Sequence, residues 1–184
     1  MKKFCLIVLI IFLLRVLDLF LTYLYIPDLR AEYNPLVSLW GLSWTGFLIA
    51  QGVILAVIAF FAYQYASLPP VIVTGKNLGF TDFVYCYFNG HPKPWPQRIH
   101  TFPKSAKPHL IFNGFMFASA AILVSLFAII NNLMLLMGVS VYIGFIEKHY
   151  GTFIPVMFVA SILISFFLFF SRQYRTYLKG ADHP

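Results

Sequence analysis

The residues with the most chemical potential are those that their surroundings should reject. Arg15 and Asp18 sit inside an apolar run from Phe4 to Ile26, where a charge at mid-bilayer costs about 2.5–3.5 kcal/mol even on the lenient insertion scale. Three residues apart on a helix, they share a face and can form an ion pair, and Thr22 continues that face four residues on. Other apolar windows carry Gln51, Ser125 and Ser161. Counted from the outer end of each window at about 1.5 Å per residue, Asp18 lies about 12 Å deep, Gln51 about 10 Å, Ser125 about 8 Å and Ser161 about 14 Å. The expectation is a polar layer shared by four spans and rimmed on the outer side by Glu32, Asn34, Asn131 and Asn132. Such a layer can be hydrogen-bond glue between helices, at about 0.6 kcal/mol per bond, and that reading is favoured. Alternatively, Asp18 binds or relays a cation or proton. A relay must titrate, however, and a neighbouring guanidinium holds a carboxylate charged.

These side chains need long membrane-crossing helices to position them. The 184 residues are 60% hydrophobic, 19% aromatic and 10% charged, with a mean hydropathy of +0.81, which excludes an ordinary soluble domain. Four windows can cross a hydrocarbon core of about 30 Å, near 4–26, 44–66, 110–130 and 152–170. The expected fold is all-α, a polytopic four-helix transmembrane bundle forming a single membrane domain. Met1-Lys2-Lys3 followed by an apolar run resembles a secretory signal, but no Ala-x-Ala-like cleavage site follows, so the first span is read as retained. In the third, Gly114, Ala118, Ala121 and Ser125 offer a small-residue face for close helix approach.

Orientation follows from the excess of Lys and Arg in cytoplasmic loops. An inside N-terminus puts Lys2, Lys3, Lys76, Lys93, Arg98, Lys104, Lys107, Arg172, Arg175 and Lys179 inside, with only Arg30 and Lys148 outside. Both termini are therefore expected in the cytoplasm, in the cytoplasmic (inner) membrane. The net charge of +7 is accounted for by topology and anionic lipid headgroups, so no nucleic-acid partner is expected. The segment 133–146 is apolar but contains Gly138 and Gly144, and is read as interfacial or re-entrant. A fifth span there would put Arg172, Arg175 and Lys179 outside, against the charge rule.

Two loops stand out. The outer one holds Glu32 and the turn signal Asn34-Pro35, since Asn before Pro disfavours helix. The inner one, 67–109, carries Pro69, Pro70, Pro92, Pro94, Pro96, Pro103 and Pro108, which argue for extended chain. Its aromatic run Phe80 to Phe88 is expected to lie at the headgroup level, or else, with Trp95, to form a docking face for a cytoplasmic partner. Cys5 and Cys86 both fall on the cytoplasmic side, so no disulfide is expected. Cys86 with His91, His100 and His109 has gaps unlike the close-paired metal spacings. Neither metal nor cofactor is therefore expected, and the common catalytic motifs are absent.

Asp18-x-x-x-Thr22 followed by Glu32-x-Asn34-Pro35 resembles a pattern in small prokaryotic integral membrane proteins grouped as an uncharacterised family. The likeness covers roughly residues 15 to 36. It implies a small prokaryotic membrane protein with a site near Asp18 and Glu32, and no activity. Three functions remain open. The favoured one is a non-enzymatic membrane subunit or anchor, surrounded by membrane lipids and associating with itself or with a partner protein through the cytoplasmic loop. The second is a membrane enzyme or binding protein for a lipid or lipid-linked substrate, with Asp18 and Glu32 as acid and base. The third is an oligomeric pore or membrane effector.

Overall fold

A computed structural model describes residues 2–29, 37, 40–75, 77–98 and 105–181. The described chain is all-helical, with four long helices: α1 (Lys2–Tyr25), α2 (Trp44–Ser67), α5 (Lys107–Leu136) and α6 (Ser140–Ala181). Two short ones, α3 (Phe80–Asn89) and α4 (Trp95–Arg98), lie between α2 and α5. Each of the four long helices contains a stretch long and apolar enough to cross a membrane, in α6 over Gly151–Gly180. The chain is a multi-pass membrane protein. Lys107–Leu136 and Gly151–Gly180, 30 residues each, outrun the windows 110–130 and 152–170 read from hydropathy.

Local chemistry sets the helix ends. Pro27 follows α1 within two residues and disfavours helix at Ile26. Ser43 caps α2, its hydroxyl accepting the Gly46 N–H, and Pro69-Pro70 bar its continuation. Pro108 stands in the first turn of α5, where a missing N–H breaks no helical bond. At the far end of α5, Gly138 adopts φ +66°. The Val139 N–H reaches the Met134 carbonyl (3.2 Å) and the Gly138 N–H that of Leu135 (3.1 Å), a Schellman closure. Residues 133–146 are thus divided between the last turn of α5, this tight turn and the start of α6.

Helix α5 is the hub, with α1, α2 and α6 all packing on it. Its small-residue face meets α1 and α2, where Ile11, Ile58, Ala62, Ala118 and Ala121 form one core. At Gly114 the α2 backbone comes so close that an added Cβ would lie 2.7 Å from Tyr65 Cβ and 3.1 Å from the Phe61 carbonyl carbon. On α6, Ser161, Ser165 and Phe169 recur at i, i+4 and i+8 and are all buried. Phe169 packs on α5 edge-to-face against Phe112 and tilted against Phe115 (both 5.3 Å).

The inner loop differs from the extended chain read from its prolines. Residues 80–89 contain neither Pro nor Gly, so the prolines bracket a helix instead of preventing one. Gly90, at φ 85°, stops α3 and donates its N–H to the Cys86 carbonyl. Phe83, Cys86 and Tyr87 are buried. Phe83 meets Tyr177 (5.3 Å) and Tyr87 meets Phe169 (5.4 Å). Most of the aromatic run expected at the headgroups is therefore spent on α5 and α6, and ring pairs contribute about 0.5–1.5 kcal/mol each beyond their buried area.

Candidate functional site

Near the Tyr25 end of α1, polar side chains from three helices converge. The Arg15 guanidinium meets Asp18 at 3.4 Å, with side chains only 19% and 13% exposed. Asn132, near the end of α5, donates through its amide nitrogen to Asp18 Oδ1 and to Thr22 Oγ1, both at 3.1 Å. The Asn131 side-chain amide donates to Asn132 Oδ1 (3.2 Å), and the Tyr142 hydroxyl of α6 donates to Asn131 Oδ1 (2.8 Å). One hydrogen-bonded chain thus runs from Arg15 through Asp18 and Thr22 to Asn132, Asn131 and Tyr142. It ties α1 and α6 to α5. Beside it the Trp44 indole N–H donates to the Pro27 carbonyl (2.7 Å) and its ring meets Tyr23 at 5.7 Å, an interfacial aromatic pair.

Arg15, Asp18 and Thr22 are brought together. The rest of the expected layer is not joined to them by any hydrogen bond among the described residues. Ser125, fully buried, donates to the Ala121 carbonyl of its own helix (2.7 Å), and Ser161 does the same to Met157 (2.8 Å). Gln51 is half-buried and its side chain makes no hydrogen bond among the described residues. The buried Ser165 hydroxyl also has no partner there. Glu32, Asn34 and Pro35 lie outside the described residues.

Asn131, Asn132 and Tyr142 complete the cluster. The two asparagines read as rim residues because the third window was ended at 130; α5 continues to Leu136 and carries them into the bundle. Two adjacent amides at the margin of an apolar window were the available signal.

At the opposite end, where Lys3 lies over the Tyr65 ring (4.0 Å), α3 and α4 supply a second polar group. Arg98 pairs with Asp82 and lies over the Tyr85 ring at 4.9 Å. Burial, reinforced by Asp82 and opposed by Arg98, pushes the Cys86 thiol above its usual range. Burial and then Tyr65 push the Tyr87 hydroxyl up as well. His109 stacks on Phe88 at 4.6 Å, His91 is exposed and His100 lies outside the described residues. Among the described residues no three His, Cys, Asp or Glu side chains cluster as metal ligands would. Tyr177 and Tyr174 pin the preceding loop: the Tyr177 hydroxyl accepts the Leu78 N–H (3.0 Å) and donates to the Gly75 carbonyl (2.9 Å), while Tyr174 donates to the Leu78 carbonyl (3.1 Å).

Chemically, the Asp18 cluster is an interhelical clamp. The carboxylate is met by a guanidinium and an amide, and Thr22 accepts from that same amide. Compared with protein-family models, curated proteins and solved structures, the chain matches none.

Proposed function

We propose that this chain is a non-enzymatic membrane subunit or anchor that associates with itself or with partner chains inside the bilayer. The observation that carries this reading is Gln51. Its amide sits seven residues into α2, half-buried, with no hydrogen bond from the described chain. An unmet amide in hydrocarbon costs several kcal/mol, so a polar group from a neighbouring chain would stabilise it. The adjacent Gly52 is exposed, and an added Cβ there would meet nothing within 4 Å. A second helix could come close at that point, as small residues allow in membranes.

The clamp around Asp18 supports the same reading, since its hydrogen bonds fasten helices. The charge distribution supports a cytoplasmic membrane location with both termini in the cytoplasm. Lys2, Lys3, Lys107, Arg172, Arg175 and Lys179 lie toward the end that carries α3, and Lys148 toward the other. In this arrangement α3, fixed by its aromatic contacts, is a rigid platform on the cytoplasmic side.

Energy transfer between donor- and acceptor-labelled chains in liposomes tests association. The wild type should associate at dilute protein-to-lipid ratios. Gln51→Leu should weaken association by the equivalent of about 0.6–2 kcal/mol, with the helical content unchanged. A wild type that stays monomeric at every ratio, without a stoichiometric partner in native mass spectrometry of the gently extracted membrane, would overturn the proposal.

A further inference from the structure

A second feature of the described chain, a concavity, lies away from the Asp18 cluster. A groove of about 800 Å³ runs along α6 beside Phe115 of α5 and changes character along its length. One half is apolar, walled by Leu163, Ile164, Phe167 and Leu168, all more than 40% exposed. The other half is cationic, with Arg172, Arg175 and Lys179. Positions 164, 168, 171, 175 and 179 recur every three or four residues, so they form one stripe of the helix. From Leu163 to Lys179 the stripe covers about 24 Å.

We propose that this groove is a binding site for one anionic phospholipid, its phosphate held by Arg172, Arg175 and Lys179 and an acyl chain lying on Leu163, Ile164, Phe167 and Leu168 against Phe115. Among the described residues none of the three cations is paired with a carboxylate. Three uncommitted cations within two turns complement a phosphate, and basic pockets beside membrane helices are where anionic headgroups are held. The change from apolar to cationic wall at Ser171 matches the change from acyl chain to headgroup. A free phosphate would use only the cationic half, and a soluble acidic segment would leave the apolar half facing lipid in any case. The lipid belongs to the leaflet at the end that carries α3, whichever side of the membrane that is.

The test is native mass spectrometry of the full chain in detergent, titrated with phosphatidylglycerol and with phosphatidylcholine of the same acyl chains. We expect one saturable phosphatidylglycerol equivalent, bound at least tenfold more tightly than phosphatidylcholine. Arg172→Gln with Arg175→Gln should remove that preference. Lys2→Gln with Lys3→Gln, which removes equal charge from the same end, should retain it. Ile164→Trp, which fills the apolar half, should weaken binding with the cations intact. An unchanged thermal midpoint in each variant reports that the fold is kept. Equal affinity for the two lipids, equal loss in the Lys2/Lys3 variant, full displacement by millimolar glycerol phosphate, or preferential binding of a poly-glutamate peptide would each overturn the proposal.

Discussion

Gly114 is where the fold is least tolerant, and its replacement by alanine can be worked out from geometry. The new Cβ would lie 2.7 Å from Tyr65 Cβ and 3.1 Å from the Phe61 carbonyl carbon, and closer still to that carbonyl's oxygen. Carbon atoms rest at about 3.5–4.0 Å, so α2 and α5 would have to part by roughly 1 Å, a gap that forfeits up to about half of each dispersion contact across the seam. That seam holds Ile58, Ala62, Ala118 and Ala121. Overpacking of this kind costs about 1–3 kcal/mol, and the upper end applies because a main-chain carbonyl cannot rotate away. A loss of about 3 kcal/mol shifts the folding equilibrium roughly a hundredfold.

The assay is SDS titration of the protein in mixed micelles, following tryptophan fluorescence. Gly144→Ala is the control: Gly144 is helical, exposed and surrounded by open space, so alanine there should be neutral or stabilising by at most about 1 kcal/mol. Since the obstacles are the Phe61 carbonyl and the Tyr65 Cβ, which alanine keeps, adding Tyr65→Ala to Gly114→Ala should not restore the midpoint. A Gly114→Ala midpoint equal to wild type, or full rescue by shortening Tyr65, would refute the close approach of α2 and α5.

Asn132→Ala leaves Asp18 and Thr22 without the amide and should destabilise by about 1–3 kcal/mol; in a double-mutant cycle with Asp18→Asn the effects should be non-additive by at least about 0.5 kcal/mol, and strict additivity would deny the contact. Tyr177→Phe removes the acceptor for the Leu78 N–H and the donor to the Gly75 carbonyl, about 0.5–1.5 kcal/mol each, so limited proteolysis should cut within 68–79 faster than in wild type. The Cys86 thiol is raised by burial, so the unfolded chain gives up this proton at lower pH than the folded one. This group's contribution is then fully present below the ordinary thiol range and is lost as pH rises from that range through the raised value of the folded state. A Cys86→Ala variant should show a flatter fall in stability on the alkaline side, and an identical fall would count against the burial.

The four long helices were legible because bilayer-length apolar runs admit few other folds. Their ends were less so. Hydropathy stopped the third span before Asn131 and Asn132, as amides lower an apolar average. The helix continues because those amides find Asp18, Thr22 and Tyr142, partners as far as 114 positions away. The shared face of Arg15, Asp18 and Thr22 followed from spacing alone, whereas Asn132 as their partner depends on which helices become neighbours. In the inner loop the prolines were read as a property of the whole segment, although they act only where they stand. Between them Phe83 and Tyr87, four apart, make the apolar face of a helix that packs on Phe169 and Phe170.

The two seams of the hub helix are fastened by different means, with a mechanical consequence. Toward α1 and α2, α5 presents Gly114, Ala118 and Ala121, and contact there is close along the helix with a polar clamp at one end. Toward α6, the hold is aromatic at the α3 end, through Phe112, Phe115, Phe169 and Phe170, and polar at the other, through Tyr142 and Asn131. Between those holds α6 contains Pro155, which cannot donate to the carbonyl of Gly151 four residues earlier and whose ring crowds that carbonyl. A helix held at both ends with one backbone bond missing bends most readily at the missing bond. Any flexing of α6 against the hub is therefore concentrated around 151–155, between the aromatic hold near α3 and the Tyr142–Asn131 contact.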